Sequence, residues 1–295
     1  MQKETTHIVH CAWAVNFSIP LASFTPQLQG LQNLLSLSLG SPTAVAAKLL
    51  FCSSVSAALG TGAPAVIPSA ALPDLHQASP TGYGRSKLVA EKLLERASEK
   101  SGACVRVLRI GQITPSRVAG SRKLWNLSEM VPLLIRSAAV VKSLPDRSSG
   151  AGDEGCQWIE VDVVAKSIVD VCGFSGEKDK GGFVYNIVHP NPFSWEKDFL
   201  PKLREAGMHF DTVGYAEWLE KMRTAETDVE KNPSQKLIGF WETQSRRGGT
   251  TQGAVTFDTR SATEISQALK NAVRVVDGQL VKEMVDAWRQ AGVPI

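Results

Sequence analysis

Tyr83 and Lys87 are the residues whose types and spacing favour chemistry in this chain. They stand four apart in the stretch SPTGYGRSKLVAEKLL (79–94), so on a helix they lie one turn apart on the same face. A nearby ammonium stabilises a tyrosinate and lowers the pKa of the phenol. Such a phenol can donate a proton to a carbonyl oxygen while a hydride arrives at the carbon. The pair therefore predicts carbonyl reduction, although a solvated helix start shows the same spacing by chance.

A hydroxyl beside the phenol would hold the substrate oxygen in place. Ser54 is the candidate because it ends the apolar run LLFCSS (49–54), and ligands of a parallel sheet bind at the carboxyl ends of its strands. The alternative role for Ser54 is to cap the end of the strand. We interpret Ser53 as a structural residue or a cofactor contact.

Short apolar runs alternate with helical patterns over the first 190 residues, which favours an α/β fold with a parallel sheet and right-handed crossovers. The predicted strands are 6–12, 47–54, 105–113 and 183–188, the predicted helices are 28–39, 83–100 and 161–172, and 60–80 is a predicted loop. After residue 190 the pattern is mostly helical. We predict a core domain at 1–190, of which 114–160 contributes partly to the substrate region, and a smaller, mostly helical substrate domain at 191–295.

Composition and charge exclude several classes of protein. The chain has 295 residues, 43% hydrophobic and 21% charged, with a net charge of +3, and no basic block indicates a nucleic-acid partner. No apolar run reaches the length of a membrane span, and the N-terminus lacks a signal-peptide pattern. We therefore predict a cytoplasmic protein. The five cysteines and five histidines show no metal-ligand spacing, so we predict no metal site and interpret the cysteines as buried free thiols.

Taken together, these motifs resemble the extended short-chain dehydrogenase/reductases. They are most similar to the terminal thioester-reductase domains of fungal non-ribosomal-peptide-synthetase-like enzymes, polyketide synthases and carboxylic acid reductases. The stretches that carry the resemblance are HIVHCAWAVNF (7–17), LLFCSSVSA (49–57), GYGRSKLVAEKLL (82–94), VLRIGQI (107–113), LWNLSEMVPLLIRSA (124–138) and WIEVDVVAKSIVDV (158–171).

The resemblance implies a role for each matching position. Ser54, Tyr83 and Lys87 match the catalytic Ser/Thr–Tyr–Lys triad, and Lys87 would also hydrogen-bond the nicotinamide ribose. The implied cofactor-binding residues are Ala12, Trp13, Ser53, Tyr83, Lys87, Ile110, Gly111, Gln112 and Ile113. The implied activity uses NADPH to reduce a carrier-bound thioester, or a small thioester or aldehyde, in fungal-type secondary metabolism.

The family's first strand and its glycine-rich turn, TGxxGxxG, have no counterpart in this sequence. Strand 6–12 matches the family's fourth strand, so we expect a truncated Rossmann-like sheet with 6–12 at its edge. Gly60-Thr61-Gly62 follows a strand, but no helix opens behind it. A bare edge strand favours association, and a second copy of the chain, another polypeptide or a rearranged N-terminus would cover it.

Several alternatives stay open on the sequence. The chain could be an NADPH-linked reductase, a non-catalytic remnant that acts as an interaction protein, a sugar-nucleotide or sterol-type dehydrogenase, or a fragment whose first strands lie upstream. Two positions depart from the family pattern. Cys11 stands where many relatives have asparagine, and Glu160 stands where proline is usual, which we interpret as a surface change.

Overall fold

The computed structural model describes residues 4–40, 46–62, 65–146, 155–173, 182–246 and 255–295. Its strands are β1 (His7–His10), β2 (Lys48–Ser54), β3 (Ala65–Ile67), β4 (Val105–Ile110), β5 (Ile113–Thr114), β6 (Ser143–Asp146), β7 (Gly155–Cys156), β8 (Ile159–Glu160), β9 (Val184–Ile187), β10 (Phe193–Ser194), β11 (Asp211–Gly214) and β12 (Val255–Phe257).

The described residues also form ten α-helices. They are α1 (Thr25–Leu39), α2 (Gly82–Ser101), α3 (Met130–Val141), α4 (Val161–Cys172), α5 (Leu200–Glu205), α6 (Tyr215–Thr224), α7 (Ile238–Arg246), α8 (Arg260–Ile265), α9 (Gln267–Lys270) and α10 (Leu280–Gln290). Short 3-10 turns cover Leu21–Phe24, Val55–Ala57, Leu75–Gln77 and Pro233–Leu237, and a π-helical turn covers Trp195–Phe199. No helix in these described ranges is long and apolar enough to cross a membrane.

A four-stranded parallel sheet in the order β1-β2-β4-β9 confirms the predicted fold class. Its inner strands are near-continuous apolar runs because helices cover both faces of such a sheet, and β2 is buried from Leu49 to Ser54. β1 lies at one edge of this sheet, as predicted, although it is shorter than the predicted strand 6–12. Val9 in β1 is exposed.

The chain divides into two compact units, and both are discontinuous in sequence. The first comprises 1–113, 162–190 and 255–272, and the second comprises 114–161, 191–254 and 273–295. Residues 255–272 lie in the first unit because β12 pairs in parallel with β3, with Val255 opposite Ala65 and Phe257 opposite Ile67. The prediction of a plain loop over 60–80 was therefore wrong at β3. That the second unit binds substrate stays a prediction.

The second unit is built around an aromatic core. Its buried tryptophans are Trp125, Trp158, Trp195, Trp218, Trp241 and Trp288.

Glu160 also lies in the second unit, and the prediction of a surface change there was wrong. Its carboxylate is 5% exposed and lies 2.9 Å from Nη2 of Arg117. Arg117 also donates to the backbone oxygens of Arg274 and Asp277, so Glu160 is a buried partner in a structural ion pair.

The start of α2 packs closely against the residues that follow β2. The hydroxyl of Thr81 accepts a hydrogen bond from the amide of Gly84 and caps the helix. The amide of Ser79 donates to the backbone oxygen of Ser56 at 2.8 Å. A Cβ at Gly84 would lie 2.7 Å from that same oxygen and would collide with the Ser79 hydroxyl. Position 84 therefore requires glycine for the close approach of α2 to the end of β2.

We predict that Gly84→Ala lowers the free energy of unfolding by about 2 kcal/mol, because the added methyl meets the backbone oxygen of Ser56 as well as the Ser79 hydroxyl. The matched control is Gly30→Ala in α1, where an added Cβ would meet nothing within 4 Å. The control should raise stability by about 0.5–1 kcal/mol. Chemical denaturation of both variants measures the difference, and equal stabilities would contradict the close approach.

Candidate active site

Ser54 and Tyr83 meet at the carboxyl edge of the parallel sheet. Ser54 ends β2, and Tyr83 is the second residue of α2. The Ser54 side chain acts on the Tyr83 phenol and lowers its pKa against the effect of burial, and it accepts a hydrogen bond from the amide of Ser56 at 3.2 Å. That bond caps the 3-10 turn after β2, and the role of Ser54 in holding a substrate oxygen stays a prediction. Tyr83 is 8% exposed, and its ring packs edge-on against Phe17 and Phe24.

Lys87 lies one turn further along α2 in an aromatic enclosure. Its side chain is 3% exposed, and its Nζ donates to the backbone oxygen of Cys52 at 2.7 Å. The Nζ lies 4.6 Å from the ring centroid of Trp13, 4.8 Å from that of Phe51 and 5.7 Å from that of Tyr83. Cation–π contact with these rings compensates part of the lost hydration of the ammonium.

The pKa shifts at this site differ from the sequence argument. Burial raises the pKa of Tyr83, and the hydrogen bond with Ser54 opposes that rise. The prediction that Lys87 lowers the pKa of Tyr83 was therefore wrong in direction, because desolvation of the tyrosinate dominates. Burial also lowers the pKa of Lys87 to about 8. Electrostatic interactions with Cys52, Glu91 and Cys11 act in the opposite direction and limit this decrease. At neutral pH Tyr83 therefore keeps its proton, and Lys87 is mostly charged.

A buried ion pair lies one helical turn beyond Lys87 on the same face of α2. Glu91 is 4% exposed and Arg109, in β4, is fully buried. The Nη2 of Arg109 lies 2.7 Å from the Glu91 carboxylate, and its Nε bonds both carboxylate oxygens. The hydroxyl of Ser53 donates to the same carboxylate, and this network joins α2, β2 and β4. The cofactor contact predicted for Ser53 stays a prediction.

Sequence reasoning missed this pair, although two signals pointed to it. Glu91 continues the four-residue spacing of Tyr83 and Lys87, so all three lie on one helical face. Arg109 stands within the otherwise apolar run VLRI of β4, and a buried guanidinium requires a partner.

The other predicted cofactor-binding residues lie at the ends of β1 and β4. Ala12 is exposed and Trp13 is half-buried just after β1, and Nε1 of Trp13 donates to the Ser86 hydroxyl. Ile110 ends β4, and the remaining residues of the set follow it: Gly111, Gln112 and Ile113. The structure thus brings Trp13 to Lys87 and places the 110–113 turn at the carboxyl end of a neighbouring strand. Their contact with a cofactor stays a prediction.

The residues present fit one end of a nicotinamide dinucleotide. The hydroxyl, phenol and ammonium of Ser54, Tyr83 and Lys87 are donors suited to a carbonyl oxygen and a ribose. The described residues do not provide the glycine-rich turn that usually holds the pyrophosphate at a helix N-terminus. A Cβ at Gly60 would lie 2.7 Å from the His76 backbone oxygen, so this glycine serves loop packing. Among the described residues no cluster of three or more metal-ligating side chains occurs.

A parallel sheet with a serine, a tyrosine and a lysine together at its carboxyl edge defines a Rossmann-like fold of the extended short-chain dehydrogenase/reductase type. The family model described as "Male sterility protein" (NAD_binding_4) matches residues 1–168. The chain belongs to this family.

Known proteins confirm the predicted resemblance. The chain is 31% identical over 305 residues to an adenylate-forming reductase of Heterobasidion annosum. The alignment covers 97% of this chain and 26% of that protein. It is 30% identical over 298 residues to a carboxylic acid reductase of Neurospora crassa, with 97% and 27% covered. The chain thus spans about a quarter of the length of these relatives.

A solved structure shares the fold. The terminal R domain from the myxalamid PKS-NRPS biosynthetic pathway matches with a TM-score of 0.78 at 23% identity, over 97% of this chain and 68% of that domain. At this level of identity the match establishes the common fold, including the parallel sheet that carries Ser54.

We predict that Arg109→Met lowers the free energy of unfolding by about 3 kcal/mol or more, because it leaves the Glu91 carboxylate buried and unpaired. The double variant Arg109→Met/Glu91→Gln should recover part of that loss, since it removes the uncompensated charge. Arg106→Met is the matched control on the same strand, where the side chain is half-buried, and we expect a change below about 1 kcal/mol. Urea denaturation measures all three, and a loss at Arg109 no larger than at Arg106 would refute this reading.

Proposed function

We propose that the chain carries an NADPH-linked reductase activity on a carrier-bound thioester or an aldehyde in fungal-type secondary metabolism. The observation that carries this proposal is the convergence of Ser54, Tyr83 and Lys87 at the carboxyl edge of the sheet. The family described as NAD_binding_4 and the reductases among the similar proteins support a nicotinamide cofactor and a reductive reaction.

In this mechanism the substrate carbonyl oxygen takes the place between the Ser54 and Tyr83 hydroxyls. The bound cofactor would supply the hydride to the carbonyl carbon. Tyr83 donates its proton to the oxygen, and its raised pKa keeps that proton in place at neutral pH until the oxygen gains charge. Ser54 donates a second hydrogen bond to the same oxygen and stabilises that charge. Lys87 supplies a positive charge beneath the phenol and would hold the ribose of the cofactor.

For a thioester, the reduced carbon then expels the thiol and an aldehyde is released. An aldehyde substrate, or a second round on the released aldehyde, would yield an alcohol at the same three side chains. The proposed partner that carries the thioester is a carrier protein. We assign substrate binding to the second unit. We propose that the chain acts in the cytoplasm. A second copy of the chain, or another polypeptide, would cover the outer edge of β1. The interaction-protein alternative predicts no cofactor binding and is tested by the same experiment.

We predict that NADPH binds the purified chain and that Tyr83→Phe lowers kcat for reduction of an aldehyde or a pantetheine thioester by about 10²–10⁴-fold, since general acid catalysis contributes that much. The dissociation constant of NADPH should change little in Tyr83→Phe, because the phenol acts on the substrate, and it should rise in Lys87→Met. Calorimetry measures binding, and the loss of NADPH absorbance measures turnover.

The matched control is Tyr185→Phe, which removes a phenol hydroxyl from β9, where it accepts a hydrogen bond from the amide of Gly182. We expect its kcat to lie within about twofold of the parent, as for a surface or structural hydroxyl. Absence of NADPH binding to a folded sample at millimolar cofactor would refute cofactor-dependent catalysis by this chain and would favour the interaction-protein alternative.

We predict that kcat/KM for reduction falls as the pH rises through about 8. The pKa of Lys87 is lowered to about 8, so its ammonium is present below that pH and is lost above it, and kcat/KM reports groups of the free enzyme. Lys87→Arg keeps a positive charge to far higher pH, so any residual activity of that variant should be flat from pH 7 to 9. A flat profile in the parent chain would contradict the role of the ammonium.

A further inference from the structure

Two thiols lie in contact beside Lys87. The sulfur atoms of Cys11 and Cys52 are 3.3 Å apart. Cys52 lies within β2, and Cys11 directly follows β1, whose His10 is opposite Phe51 in the parallel register. The two cysteines therefore stand at neighbouring positions on adjacent strands. Strands of a sheet lie about 4.8 Å apart, and a disulfide accepts Cα separations of about 4.4–6.8 Å, so the paired residues that precede both cysteines have a spacing suited to a cross-link.

The two thiols differ in access to solvent. Cys11 is exposed, whereas Cys52 is 7% exposed. Burial raises the pKa of Cys52, against the positive charge of Lys87, so Cys52 is protected from direct attack by oxidants. An exposed thiol that reacts first, next to a buried thiol that resolves the product, is the arrangement of a reversible oxidation site. The prediction that the cysteines are buried free thiols is therefore wrong at Cys11, which is exposed.

We propose that Cys11 and Cys52 form a reversible oxidation site, at which hydrogen peroxide converts the two thiols into a disulfide that links the end of β1 to β2. The Cys11 thiolate attacks one peroxide oxygen, the O–O bond breaks, and the departing hydroxide takes up a proton to give water. The Cys52 thiol then attacks the sulfur of the Cys11 sulfenic acid. The S–S bond forms, the S–O bond breaks, and the proton of Cys52 leaves with the hydroxide as a second water. The two sulfurs lose two electrons to the peroxide, and an added dithiol reverses the change.

The position of the bond connects it to the candidate active site. The backbone oxygen of Cys52 accepts the hydrogen bond of Lys87, and Ser53 and Ser54 follow in the chain. Bond formation shortens the sulfur separation from 3.3 Å to about 2.05 Å, which shifts the residue that anchors Lys87. Oxidation therefore lowers the turnover of the chain, a consequence that rests on the proposed function.

The test treats the purified chain with hydrogen peroxide, quenches it, alkylates the remaining thiols under denaturing conditions and maps the peptides. We expect a peptide linking Cys11 to Cys52, alkylation of the other three of the five cysteines, and a higher denaturation midpoint. Dithiothreitol added before alkylation should abolish both the linked peptide and the midpoint shift. Cys11→Ser should lose the linked peptide and the stability shift. Cys104→Ser, which removes a half-buried thiol elsewhere in the first unit, should keep both.

Oxidation of Cys11 to sulfinic acid without the linked peptide, or an equal stability shift in Cys11→Ser, would overturn the proposal. The effect on the active site is read separately, as NADPH-dependent turnover before and after oxidation, where we expect at least a tenfold loss that dithiothreitol restores. A chain that forms the disulfide but shows no turnover in either state would refute the proposed function and leave the oxidation site standing. Unchanged turnover after complete cross-linking would refute the link to Lys87.

Discussion

The buried ion pair between Glu91 and Arg109 is the interaction on which the candidate site depends. A carboxylate and a guanidinium removed from water are stable only when they are paired and their remaining hydrogen-bonding positions are filled. Here the guanidinium of Arg109 and the hydroxyl of Ser53 donate hydrogen bonds to the Glu91 carboxylate. Because these groups come from α2, β2 and β4, satisfying them requires one placement of the helix on the sheet. That placement sets where Tyr83 and Lys87 point.

Close packing at the start of α2 supplies the second constraint. Gly84 lets the helix approach the residues after β2, and the cap by Thr81 starts α2 at Gly82, one residue before Tyr83. The result is that the Ser54 side chain acts on the Tyr83 phenol where both residues are buried. Burial then has opposite effects on the two titratable groups, since it raises the pKa of Tyr83 and lowers that of Lys87. A protonated phenol and a readily titrated ammonium are the chemical outcome of this packing.

Burial within the same sheet explains why Cys11 and Cys52, beside the site, differ in their exposure to solvent. β2 is covered on both faces, so Cys52 is buried, whereas β1 lies at the edge of the sheet and Cys11 is open to solvent. An edge strand next to a buried strand thus places one accessible and one protected thiol in contact. Lys87 bonds the backbone of Cys52 and acts electrostatically on both sulfurs, so the thiol pair and the candidate site share one environment.

The sequence by itself determined the parallel sheet, the helices that flank it and the meeting of Ser54, Tyr83 and Lys87, because these follow from local periodicity and from the position of strand ends. Only the tertiary structure decided the pairing of β3 with β12, the partner of Glu160 and the joining of Glu91 to Arg109. Each joins residues distant in sequence, and a local pattern can show that Arg109 needs a buried partner but cannot say which residue that partner is. The tertiary structure also decided the pKa of Tyr83, because the desolvation that raises it depends on all the groups packed around the phenol. The spacing of Tyr83 and Lys87 in the sequence does not show how strongly the phenol is desolvated.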